Sequence, residues 1–282
     1  MATATDTSPA RVTTTDDRGR VLPLTRAGIW VLLVLAALNG LFLYLVPAQA
    51  ETDYAWSIKP SVNAAFIGAG FLAGTLATGL VLAFATRWRT FSTLPIALWV
   101  LATSLLAATL IHNDRFKFDY APTWVWTIVY AAVPLAVPFL VHRQRRNADP
   151  EPAASRALRP VRAVSAVLGI GILAGAIALF AAPVELGQHW LWALTPLLAR
   201  AVAAWYALFG TMLLTCALQL RKPEEALIPY ATLASWSLLL LTLPVIYADQ
   251  VSGGALWYAL MVVLLALSAA VLVRAWPSRR AL

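Results

Sequence analysis

Eight apolar runs, each near the roughly 20 residues a helix needs to cross a hydrocarbon core, decide what this chain can become. They fall at about 27–46, 61–85, 94–111, 123–141, 164–181, 197–220, 227–247 and 255–276. Inside a bilayer no water is available to backbone N–H and C=O groups, so each run must satisfy its own by forming a helix. With 61% apolar residues, 12% charged residues and a mean hydropathy of +0.74, a soluble domain is excluded. The class is therefore all-α, a polytopic membrane protein.

The runs also repeat. The stretch Tyr54-Ala55-Trp56-Ser57-Ile58-Lys59-Pro60 returns as Trp190-Leu191-Trp192-Ala193-Leu194-Thr195-Pro196, and Pro47 and Pro183, which close the preceding runs, share the same spacing of 136. Further on, Pro95 answers Pro229, Trp124 answers Trp257, and Leu110-Ile111-His112-Asn113-Asp114 answers Val245-Ile246-Tyr247-Ala248-Asp249. Each unit holds four runs, an even number, so both copies enter the membrane from the same side. The expectation is eight transmembrane helices as two parallel four-helix repeats, with a cleft between them. The divisions are a disordered cytoplasmic tail over 1–25, a first repeat over 26–142, a basic cytoplasmic linker over 143–162, a second repeat over 163–276 and a cytoplasmic tail over 277–282. Ala48-Gln49-Ala50 resembles a signal-peptidase site, but removing run 27–46 would destroy the repeat, so that run is kept as a helix.

Charge reports orientation. The formal charge of +8 could suggest nucleic acid. Yet in an eight-helix layout every Lys and Arg except Lys59, Arg115, Lys117 and Arg200 falls on one side, which the positive-inside rule makes cytoplasmic. No nucleic-acid partner is expected; the bilayer is the partner, in a cell inner membrane. The single cysteine, Cys216, lies in an apolar run and says nothing about compartment. Gly70 and Gly74 make a small-x-x-x-small face suited to close helix approach, including a helix-mediated oligomer. Pro134 and Pro138 should bend the fourth helix.

The outer face collects the groups that chemistry could use. His112, Asp114, Glu185, His189 and Asp249 lie there with Trp56 and Trp192, and the repeat brings Asp114 and Asp249 to corresponding places. These aromatics are the ordinary furniture of a headgroup belt. No His-x-x-x-His, Glu-x-x-His or paired cysteine occurs, so no metal and no cofactor is expected. Arg200 stands about one turn inside the sixth run, where an unpaired charge is costly, and should face the cleft and pair with Glu185, Asp249, a small anionic solute or a lipid headgroup. Asn39 and Asn63 suit helix-to-helix hydrogen bonds.

At Ala55-Trp56-Ser57-Ile58-Lys59-Pro60, Asn63-Ala64-Ala65-Phe66-Ile67-Gly68-Ala69 and His112-Asn113-Asp114-Arg115-Phe116 the chain resembles uncharacterised actinobacterial-type multipass membrane proteins with an Ala-Trp-Ser/Thr-Ile-x-Pro outer-loop motif. That resemblance implies the class and a bacterial origin, and brings no activity with it. Three functions compete: a transport or permeation component, which is favoured; a structural or assembly subunit; and a membrane enzyme acting on a lipid-borne substrate at the outer surface.

Overall fold

The computed structural model describes residues 18–281, and among them every regular element is helical. The eight long helices are α1 (Pro23–Leu45), α2 (Ser61–Phe84), α3 (Leu94–Ile111), α4 (Ala121–Arg146), α5 (Arg159–Ala181), α6 (Pro196–Gln219), α7 (Leu227–Ile246) and α8 (Ala255–Ala275). All are long and apolar enough to cross a membrane. Proline opens α1 and α6 at a position where the missing N–H would have had no helical partner. At α6 the Thr195 hydroxyl also accepts from Leu198 N at 3.3 Å. Ahead of α8 stands Gly254, in the left-handed region with φ 95°, where a Cβ would also strike the Leu191 side chain.

Residues 18–25, expected in a disordered tail, are built into the bundle. Gly19 N donates to Asn147 O at 2.6 Å, Trp88 N to Gly19 O at 2.8 Å and Val21 N to Thr86 O at 3.1 Å. Gln144, fully buried, accepts from Leu22 N and Thr25 Oγ1 and donates to Arg20 O. Polar composition hid a segment whose backbone groups are satisfied by loop partners rather than by apolar burial. Residues 1–17 of that expected tail lie outside the described residues. The basic linker is also shorter than the sequence suggests, because α4 carries on through Arg146 and α5 starts at Arg159.

Pro134 and Pro138 leave α4 as one continuous helix. Pro138 cannot donate to the Pro134 carbonyl, and Trp99 Nε1 on α3 donates to it instead, at 3.0 Å.

Packing partners follow a pattern. α1 lies on α2 and α5 on α6; α3 lies on α4 and α7 on α8; between these groups α2 meets α7 and α6 meets α3. Exchanging the first four helices with the last four leaves this scheme unchanged. The centre belongs to α6, α7 and α2, with 78%, 61% and 56% of their apolar stretches buried, against 17% for α1 and α4.

Glycine lets these helices close. A Cβ on Gly68 would lie 2.6 Å from the Tyr44 backbone nitrogen of α1, and one on Gly210 would lie 2.9 Å from the Leu173 nitrogen of α5. The Gly70 and Gly74 face, read as suited to close helix approach and to a helix-mediated oligomer, packs within the chain. Gly70 receives the Trp205 ring of α6, and Gly74 sits against Ala36 of α1.

Between the halves, where the sequence suggested a cleft, aromatic side chains fill the space. Phe66 of α2 stacks on Tyr206 of α6 at 5.8 Å and meets Trp236 of α7 edge-on at 6.3 Å, and Phe71 meets Trp205 edge-on at 5.1 Å; behind them Phe209 stacks on Trp236 at 3.9 Å within the second half.

The Gly68 contact generates a prediction. Gly68→Ala should destabilise the fold by about 1–3 kcal/mol, since the obstacle is backbone and cannot rotate away. Gly74→Ala, whose Cβ would rest 4.0 Å from Ala36 Cβ, should be close to neutral. Thermal unfolding of both variants in detergent, side by side with wild type, checks this; equal melting temperatures would refute the close-approach argument.

Candidate functional site

The loops gather at two ends. One end holds the segments after α1, α3, α5 and α7, stitched by Lys117 N to Ala55 O at 3.0 Å, Asn63 Nδ2 to Ala193 O at 3.0 Å and Ser252 N to Leu191 O at 2.8 Å. The other holds the arginine-rich segments, stitched by Arg89 Nε to Glu225 Oε1 at 2.9 Å and Arg87 Nη1 to Asp149 Oδ2 at 2.7 Å.

At the first end the expected binding groups do not converge. Glu185, His189 and Asp249 are exposed, Asp114 pairs with its neighbour Arg115 at 3.0 Å, and His189 reaches only Gln188. Arg200 takes neither Glu185 nor Asp249 as partner. Its Nη1 lies 2.6 Å from His112 Nε2 at the end of α3, and its guanidinium lies over the Phe180 ring of α5 at 5.7 Å. It does face the first four helices, but a neutral imidazole stands where a carboxylate was expected. Because arginine only donates, His112 must accept through Nε2 and carry its proton on Nδ1. Burial, reinforced by Arg200 and Arg115 and opposed by Asp114, holds the His112 pKa below its ordinary value.

Trp56 and Trp192 are not belt residues. Trp56 is 2% exposed, wedged among Tyr54, Phe116 and Trp126, and Trp192 is 4% exposed. The Trp192 indole donates to Asn63 Oδ1 at 2.8 Å, so Asn63 joins the halves through the loop ahead of α6.

Polar groups also line an open groove on the flank of the bundle. This groove of about 470 Å³ runs between α1 and α4, with Phe71 of α2 among its lining residues, and is walled by Leu38, Phe42, Val125 and Val129. Asn39 and Tyr54 form its polar end: Tyr54 Oη donates to Asn39 Oδ1 at 3.0 Å, while Asn39 Nδ2 donates to Leu35 O at 2.9 Å. Burial, with Tyr130 close by, pushes the Tyr54 phenol well above its ordinary pKa, so it stays a donor. Tyr130 lines the same groove, is 7% exposed, and its hydroxyl makes no hydrogen bond among the described residues. Asp53 stands exposed at the mouth. Sequence reading noticed Asn39 but not Tyr130; a tyrosine eight residues into the apolar run 123–141, two turns from its start, was the available signal.

Among the described residues no three His, Cys, Asp or Glu side chains come together to hold a metal. No protein-family model, curated protein or solved structure matches this chain.

The Arg200–His112 contact fixes a pH dependence. The folded pKa of His112 lies below the unfolded value of 6.5, so the unfolded chain binds more protons in that window. Stability is complete above about pH 6.5 and declines as pH falls from there through the lowered folded value. Melting curves between pH 8 and 5 should show this decline, and His112→Gln, which keeps an acceptor that cannot charge, should flatten part of it. A wild-type curve no steeper than that of His112→Gln would disprove the assignment.

Proposed function

We propose that this is a bacterial inner-membrane protein, with both termini cytoplasmic, that binds and transports a bilayer-dissolved amphiphile through the groove between α1 and α4. The observation that carries this reading is Tyr130, a tyrosine only 7% exposed that lines a mostly apolar, bilayer-facing groove and whose hydroxyl has no hydrogen-bond partner among the described residues. A hydroxyl in such a place is costly unless something accepts from it. A lipid or isoprenoid-type molecule suits both needs, its tail along the aliphatic walls and an acceptor in its head at Tyr130.

Duplication supports the reading. In this proposal the halves are parallel copies related by an axis along the membrane normal, which accounts for the exchange symmetry of their packing. α1 and α5 each have 23 residues, which sets Asn39 against Gly175; counting from the starts of α4 and α8 sets Tyr130 against Leu264. The repeat spacing sets Tyr54 against Trp190. Polar lining thus stands in one copy only, as expected where one copy binds and the other scaffolds. A solute path along the axis has less support, because Phe66, Tyr206, Phe209 and Trp236 fill that space.

Orientation follows from the arginines and is tested separately by cysteine labelling: position 119 should react with an impermeant reagent in intact cells and position 156 should not. For the groove, a photoreactive lipid analogue should crosslink to α1 and α4. Tyr130→Phe should weaken crosslinking several-fold, and Leu38→Trp, on the exposed wall, should block it, while Ile177→Trp on α5 should not. Equal crosslinking in all three would sink the proposal.

A further inference from the structure

The arginine-rich end holds a second, polar cavity of about 800 Å³. Its walls come from four parts of the chain: the loop between α2 and α3, the linker, the loop between α6 and α7, and the turn after α8. Arginines at this end are what topology requires, so charge alone carries nothing. What matters is which charges are already neutralised.

Arg87 is paired with Asp149, and Arg89 with Glu225. The second pair is nearly closed to solvent, with side-chain exposures of 18% and 4%. Glu225 Oε2 also accepts from Arg221 N at 2.7 Å and Lys222 N at 3.2 Å, which fixes the loop that presents Lys222. Lys222 and Arg280 line the cavity and, among the described residues, have no ion-pair partner; Arg279 has none either, donating to the Trp276 carbonyl and lying over the Trp276 ring at 4.7 Å. Against these three cations the cavity sets one carboxylate outside an ion pair, Glu224. Phe84, 57% exposed at the end of α2, forms an apolar lip.

We infer that this cavity binds a phosphate group, through Lys222, Arg279 and Arg280. The donors outnumber the acceptors, they converge from two separate loops, and the paired Arg89–Glu225 frame holds them in place without the ligand. Basic pockets at this level of a membrane protein take the phosphates of anionic lipids, and a soluble phosphoester would meet the same donors. The shared chemistry is the phosphate. This site is independent of the groove, stands at the opposite end of the bundle and needs no other part of the functional reading.

Two arms separate the sources. Purified full-length protein in detergent is titrated with inorganic pyrophosphate by calorimetry, and the same protein in nanodiscs of phosphatidylcholine with or without phosphatidylglycerol is examined by native mass spectrometry for retained lipid. Binding in the first arm identifies a soluble phosphate, and retention of phosphatidylglycerol alone identifies a headgroup. In either case the Lys222→Gln/Arg280→Gln double variant should lose at least about tenfold in affinity or retention, with an unchanged melting temperature in the absence of ligand. Lys222→Arg, which keeps the charge, should retain most of the binding and guards against a variant that merely misfolds. No binding in either arm, or equal binding by the double variant, overturns the site.

Discussion

Asn63 joins the halves of this protein at one end, and much else depends on it. The side chain is fully buried; its Nδ2 donates to Ala193 O and Lys59 O, and its Oδ1 accepts from Trp192 Nε1. The Asn63 amide and the Trp192 indole are both buried and would each be stranded without the other, which raises the cost of pulling them apart. At the other end the buried Glu225 plays the same part, tying Arg89 of one half to the loop of the other. Between these polar fixings lies a column of stacked aromatics. Polar groups at the ends and rings in the middle are the arrangement expected where water reaches only the ends.

The fixings are not duplicated, although the helices are. The spacing of 136 sets Ala199 against Asn63. Two copies of one unit, meeting through α2 with α7 and α6 with α3, would by symmetry make every contact twice. Here a single asparagine and a single glutamate break that symmetry, and one arrangement of the halves becomes unique. The same divergence separates the groove beside α1 from the equivalent flank beside α5, where Gly175 meets nothing within 4 Å.

Hydropathy made the eight helices legible, because a bilayer leaves a chain few alternatives. Helix starts at Pro23 and Pro196 were near the expected boundaries for the same reason. Side-chain partners were another matter. Arg200 was assigned a carboxylate on energetic grounds, but a half-buried guanidinium at a helix end needs only an acceptor, and His112 is one. Trp56 and Trp192 read as belt residues because loops near headgroups usually carry such residues; their burial depends on loops folding back over the bundle, which no local pattern encodes. Glu225 went unnoticed because Lys222-Pro223-Glu224-Glu225 reads as a solvated turn. Its burial follows from Arg89, far away in sequence. Tyr130 was hidden by its own helix, where one hydroxyl barely alters the apolar average.

The two fixings also bear on how such a molecule could move. Alternating access by rocking one repeat against the other requires their interface to part at one end and then at the other. Parting here would strand the Asn63 amide at one end or the Glu225 carboxylate at the other, each at a cost of about 1–3 kcal/mol or more, and would also open the aromatic column. α1 and α4 are tied at the arginine-rich end, where buried Gln144 of α4 accepts from Thr25 of α1; along the groove each is held by its own inner neighbour, α2 or α3, and the two touch little. Widening the groove therefore separates aliphatic side chains already bathed in lipid, where exchanging one apolar neighbour for another is nearly free. With the Gln144 end as the pivot, opening the groove at its other end leaves both fixings intact, on the same flank where Tyr130 presents a hydroxyl without a hydrogen-bond partner among the described residues.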